Sequence, residues 1–331
     1  MDDKRRIGVF LLQMGGPLHD DELHSYVESL FCDPFLVQLP PIVSWFRRTL
    51  AKRVASRRAP VLRQQYEQIG GSSPNNAITI RQAVALEDWL NQQDNPNEYH
   101  CFAAMTYTRP RIESAVADAV HVGCTDFVAL SLFPQYCSAT TGSSFAELAE
   151  ALDKAEISPD NVRWVSRWGD NDQFLAASAE NLRLECEASA RAHSSTPHVL
   201  FSAHGIPESY VRRGDPYVSE IQNTVRLLAE TLVDGVQHSL SYQSRATPLK
   251  WVTPSTDGKI KSLAEEGVKS LIVHPVSFVN DHLETLFEID IELAAVAKEA
   301  GIEHYARVPV FNDDPRLIAL LGQLVFNTRT P

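Results

Sequence analysis

The chain has 331 residues, 42 acids against 30 Lys and Arg, a formal net charge of −12, and five cysteines. Its length suggests two domains with separate cores, and its acidity argues against a general nucleic-acid binder. The cysteines are odd in number and lack CxxC spacing, which points to a reduced, cytoplasmic compartment; none follows Cys186, so a cysteine-held iron–sulfur cluster near the C-terminus has no ligands.

The opening MDDKRRIGVFLLQMGG sets charges before a short apolar run that ends in Gly-Gly. It is too short to span a membrane, lacks a small-residue cleavage site and reads as a first strand. FLVQLPPIVSWF (35–46) is almost wholly apolar, yet Pro40 and Pro41 prevent a continuous helix. Arg47, Arg48, Lys52, Arg53, Arg57, Arg58 and Arg63 follow, with no acid between 34 and 66. This is either a core edge leading into a basic solvated helix, or an exposed apolar lip whose basic collar meets anionic headgroups.

Short apolar runs then alternate with longer amphipathic stretches. Strands are predicted at 7–13, 100–107, 126–133, 162–168, 198–203, 238–243 and 270–276. Helices are predicted at 75–92, 111–121, 143–155, 172–192, 216–233, 257–266 and 281–300. The alternation is that of an α/β protein with parallel sheets flanked by helices. The turn cluster ISPDN (157–161) suggests a boundary, giving domains 1–158 and 159–314, with 315–331 a closing helix and no further strand. VFLLQMGGP (9–17) and VLFSAHGIP (199–207) echo one another and pair Met14 with His204; chance and duplication explain so short a match equally well.

In open α/β sheets, ligands gather beyond the carboxyl ends of the strands. FSAHGIP puts His204 there, with Gly205 allowing a tight turn. In HPVSFVNDHLETLFEIDIE (274–292), His282 stands among Asp281, Glu284, Glu288, Asp290 and Glu292, with no Lys or Arg before Lys298. Asp281 and Glu284 have capping-box spacing, and in an α-helix Glu284, Glu288 and Glu292 would stack as one acidic line. A solvated face explains the first turn; a cation or proton path explains the rest better. Hydroxyls in LFPQYCSATTGSS, from Thr140 to Ser144, either hold an anion or merely cap a helix. GxGxxG, GxxxxGK[ST], GxSxG and HExxH are absent. Histidine and carboxylates without thiolates suit a metal such as Fe(II), and their wide spacing suits one that is bound weakly and passed on.

Taken together, LLQMGGP, QYEQIGGSSP, FPQYCSATTGSS, FSAHGIP, RRGDPY, YQSRATPLKW and SFVNDHLETLFEIDIE resemble the ferrochelatases over nearly the whole chain. The resemblance implies two Rossmann-like α/β domains with a porphyrin cleft between them, and insertion of Fe(II), as substrate metal, into protoporphyrin IX in haem synthesis. It implies His204 and Glu284 as the metal-side catalytic pair, His282 in support, and Glu288 and Glu292 as a secondary acidic line. Met14, Tyr107, Tyr136 and Trp251 are the implied macrocycle contacts. Thr106 stands where the resemblance leads one to expect arginine, as in many members, so one propionate contact does not carry over from the family. Cys137 alone lies near a place where some members hold an iron–sulfur cluster, so no cluster is expected. Met14 resembles the protoporphyrin branch, since coproporphyrin-using members tend to carry Tyr there. The alternatives are a coproporphyrin III or other tetrapyrrole chelatase, a non-catalytic haem or metal carrier, and a metal-dependent hydrolase. Beyond porphyrin and iron, the expected partner is an anionic membrane met peripherally through 35–63, for a monomer or homodimer.

Overall fold

The computed structural model describes residues 4–193, 195–233, 235–245 and 249–327. The chain divides into two compact units, Met1–Arg167 with Asn312–Pro331, and Trp168–Phe311.

The first unit holds strands β1 (Arg6–Gln13), β2 (Glu98–Met105), β3 (Asp126–Ser131) and β4 (Val162–Val165), all parallel, in the order β2-β1-β3-β4. Its helices are α1 (Glu22–Cys32), α2 (Pro41–Ser44), α3 (Arg47–Glu67), α4 (Asn75–Gln92), α5 (Ile112–His121) and α6 (Ser143–Lys154). Phe10, Leu12 and Phe127 from the sheet pack on Ile112, Val116 and Leu148 from α5 and α6. Each fully buried side chain of this kind stabilises by about 1.5–3 kcal/mol.

The second unit holds β5 (His198–His204), β6 (His238–Gln243), β7 (Ser270–Pro275) and β8 (His304–Arg307), again parallel, in the order β6-β5-β7-β8. Around them run α7 (Asp172–His193), α8 (Glu208–Arg212), α9 (Tyr217–Ala229), α10 (Thr256–Glu265), a π-helix over Glu284–Leu293 and α11 (Ala294–Ala300). Ile289 and Leu293 of the π-helix lie in one core with Leu200, Leu271 and Val273, which anchors that helix on the sheet. The two sheets share one strand order, and β1 and β5 fill the same central slot; the echo between their sequences is matched in topology.

The structure departs from the sequence reading at the unit boundary, at the final helix and at β8, among other places. The turn at 157–161 joins α6 to β4, which pairs with β3, so residues up to Arg167 remain in the first unit. The final helix, α12 (Pro315–Asn327), packs its Phe326 ring against Trp89 and Tyr99 and belongs to that unit too; 328–331 lie outside the described residues. β8 was not expected. HYAR carries no apolar run, and all four residues are half-buried at a sheet edge.

Candidate functional site

β5 ends on His204, and the next residue must turn at once. A Cβ on Gly205 would lie 2.7 Å from the Gln243 backbone carbonyl, so glycine is required there. The His204 amide donates to Ser277 Oγ at 3.1 Å. Its Nδ1 lies 2.8 Å from Glu284 Oε2, joining two segments eighty positions apart. The pair is open to solvent on one side, with side-chain exposures of 38% and 28%.

Burial acts to lower the His204 pKa, but the Glu284 charge and hydrogen bond outweigh it and raise it. Burial acts to raise Glu284, and the His204 charge and bond hold it well below the usual carboxylate range. With Nδ1 directed at an ionised carboxylate, Nε2 is the nitrogen left for a ligand or proton. His282 lies beside them, its ring 4.7 Å from Phe278 and its Nδ1 buried without a hydrogen-bond partner. Burial lowers its pKa and keeps it neutral.

Glu288 is bound from the end of β6. Gln243 Nε2 donates to it at 3.0 Å and the Ser244 amide at 2.7 Å. The Ser244 hydroxyl bonds both Glu288 and, at 3.1 Å, Glu284. Ser244 takes φ +66°, a conformation costly for a residue with a side chain, and it aims that amide at the carboxylate. Burial first, then the Glu284 charge, push the Glu288 carboxyl up to about 7. Gln243 and Ser244 were missed in the sequence, although they sit at the carboxyl end of a predicted strand, where the strand-end rule would have found them.

The acidic line differs from expectation. The helix carrying it is π-wound, with i→i+5 closure, a winding frequent at functional sites. There is no capping box: Asp281 accepts from the Thr285 hydroxyl at 2.9 Å, and Glu284 turns to His204 instead. Glu292 is exposed, and Asp290 is paired with Arg307. Among the described residues, no three His, Cys, Asp or Glu side chains form a ready cation cage.

In the first unit the implied macrocycle contacts lie at the carboxyl ends of β1, β2 and β3. A Cβ on Gly15, at φ +77°, would meet Thr108 Oγ1 at 2.0 Å, and one on Gly16 would meet Ser73 Oγ at 2.3 Å, so this tight loop needs both glycines. The Met14 carbonyl accepts from the Tyr107 amide at 3.1 Å, which puts these two residues side by side. The Tyr107 hydroxyl is held by Asp33, which also accepts from Ser143. Burial and the Asp33 charge raise its pKa. Tyr136 is half-buried beside Gly142. In the second unit Trp251 is buried and bridges to Pro207; part of its motif, 246–248, lies outside the described residues.

The hydroxyl-rich loop makes no side-chain cap on α6. It winds as a π turn, Ser138–Gly142, straight into α6, and its hydroxyls bond Ser131, Thr106, Asp33 and the Thr140 carbonyl.

The apolar stretch 35–46 is largely at the surface. Trp45 is 90% exposed, Ile42 84% and Phe46 66%, and Lys52, Arg53, Arg57 and Arg58 along α3 are exposed as well. No helix among the described residues is long and apolar enough to cross a membrane.

The ferrochelatase family model matches residues 6–329. The chain belongs to the ferrochelatase family. The ferrochelatase of Geotalea uraniireducens is 40% identical over 323 residues, covering 98% of both chains. That of Gloeothece citriformis is 39% identical over 328 residues, covering 98% of this chain and 83% of that one. Among solved structures, SirB from Bacillus subtilis with Fe3+ aligns at a TM-score of 0.55 with 11% identity, covering 98% of this chain and 95% of that chain. SirB from Bacillus subtilis subspecies spizizenii in complex with cobalt, a sirohydrochlorin chelatase, aligns at 0.51 over the same shares. Those two likenesses concern the fold. Ferrochelatases are lyases that insert iron into a porphyrin in haem synthesis.

Proposed function

We propose that this ferrochelatase inserts Fe(II) into protoporphyrin IX, giving protohaem and two protons, with His204 and Glu284 as its metal-side pair. The 2.8 Å bond between those two side chains carries the reading, because it joins the two most specific motifs in one place. Metallation must take two protons from the pyrrole nitrogens and strip water from the iron. His204 Nε2 is free to accept a proton. Ionised Glu284 stabilises the imidazolium that forms and offers an oxygen to the incoming cation. Glu288, with its carboxyl near neutrality, takes a proton onward, and Glu292 opens that route to solvent. Half-buried, neutral His282 supports the pair from beside it. Met14, Tyr107, Tyr136 and Trp251 line the macrocycle, and Met14, a soft and adaptable side chain, favours protoporphyrin. No iron–sulfur cluster takes part.

The enzyme works in the cytoplasm and meets the inner membrane peripherally. Trp45, Phe46 and Ile42 enter the headgroup region, and the basic side chains of α3 face anionic lipid. A poorly soluble porphyrin then passes to the protein without crossing water.

Anaerobic incubation with Fe(II) and either protoporphyrin IX or coproporphyrin III, followed at the Soret band, tests the reaction. Faster metallation of protoporphyrin is expected. Turnover of coproporphyrin alone would reassign the substrate, and none with either would leave a carrier.

A further inference from the structure

Four acids crowd the π-helix and a fifth, Asp281, stands just before it, and the charge that answers them comes from β8. Arg307 extends its guanidinium under the π-helix and bonds Asp290 with both arms of its fork, Nε at 2.7 Å and Nη2 at 2.9 Å. The same Nη2 lies 3.3 Å from Asp281 Oδ1. The Arg307 side chain is only 12% exposed, and its Nη1 is buried without a hydrogen-bond partner. Two residues earlier, the Tyr305 hydroxyl donates to the Ile289 carbonyl at 2.9 Å. One short strand therefore grips the helix at two successive residues and ties its middle to the segment before it.

That grip is sensitive to the winding. A π turn holds roughly one residue more than an α turn, so rewinding from Glu284 to Asp290 would swing Asp290 by more than about a quarter of a turn. The bidentate pair cannot follow such a swing, because the fork is planar and fixed in direction. The winding also sets where Glu284 and Glu288 point, and both reach the Ser244 hydroxyl.

We propose that Arg307 is a positioning residue for the reaction: by clamping Asp290 and Asp281 it holds the helix in its wide winding and keeps Glu284 and Glu288 converged on Ser244. The inference rests on the reading that these two carboxylates handle the metal. It assigns Arg307 no contact with iron or porphyrin.

The test compares Arg307→Ala, Arg307→Lys and Glu288→Gln with wild type, by hydrogen exchange of the peptide 284–293 and by the KM values for Fe(II) and for porphyrin measured separately. Arg307→Ala is expected to speed exchange in that peptide at least tenfold over the rest of the second unit. It should raise the KM for Fe(II) about tenfold while the porphyrin KM stays within about twofold. Arg307→Lys keeps the charge without the fork and should recover only part of both effects. Unchanged exchange in Arg307→Ala, or full recovery by lysine, would overturn the clamp. So would faster exchange with an unmoved Fe(II) KM, provided Glu288→Gln itself shifts that KM. If Glu288→Gln leaves it unmoved, the metal reading of the acidic line fails, and the clamp stands or falls on the exchange rates alone.

Discussion

Replacing Glu288 by glutamine should stabilise the protein relative to wild type as pH rises from 5 to 8. In the folded protein the Glu288 carboxyl moves from its ordinary 4.5 to about 7, driven by burial and then by the Glu284 charge. Between those values the native state holds a proton that the unfolded chain has released, so the wild type loses stability as pH rises through that window. Titrating alone, Glu288 would cost roughly 3 kcal/mol by pH 8. Because Glu284 and His204 titrate with it, about 2 kcal/mol is the expected share. Glutamine is neutral throughout; its one amide oxygen can still accept from the Ser244 amide, while its Nε2 stands where the second oxygen accepted from Gln243. Urea unfolding followed by circular dichroism should show the variant gaining about 2 kcal/mol on wild type between pH 5 and pH 8. A difference independent of pH would show that Glu288 is an ordinary ionised carboxylate and would remove its role in proton transfer.

Further expectations follow from the site and from the surface. Met14→Tyr should alter the preference between protoporphyrin and coproporphyrin, and identical kinetics with both porphyrins would detach Met14 from substrate choice. Ser244→Ala removes the hydroxyl shared by Glu284 and Glu288 and should raise the KM for Fe(II) several-fold, whereas an unchanged KM would make that hydroxyl a structural bond only. Trp45→Ser with Phe46→Ser should abolish sedimentation with anionic liposomes, and wild-type binding should fall as salt rises. Equal binding to neutral vesicles would refute the basic collar.

Much of the fold was legible because its strands are buried on both faces and read as continuous apolar runs, as in β1, where all but Arg6 is buried. β8 escaped because an edge strand of four half-buried residues has no such run. Missing it hid Arg307, and the acids of 281–292 looked uncompensated because their counter-charge lies beyond them in the sequence and on another element. The histidine–carboxylate pair was visible because both residues sit in specific motifs. The residues that tune it were not, since Ser244 and Gln243 are common types whose role comes only from their place at the end of β6. The π winding was hidden for a related reason. Its apolar positions, Ile289 and Leu293, also suit an α-helix, and the grip of Tyr305 and Arg307 is tertiary.

The central claim is that His204 and Glu284 act together on the metal side of the reaction. It is tested most directly by single-turnover metallation of protoporphyrin IX with Fe(II) under anaerobic conditions, in wild type, His204→Ala and Glu284→Gln, with porphyrin binding measured in parallel by fluorescence quenching. Each variant should bind porphyrin normally and lose more than nine-tenths of the metallation rate, a barrier rise above about 1.4 kcal/mol. If either variant binds porphyrin and keeps more than about a tenth of the wild-type rate, that residue is not part of the metal-side pair.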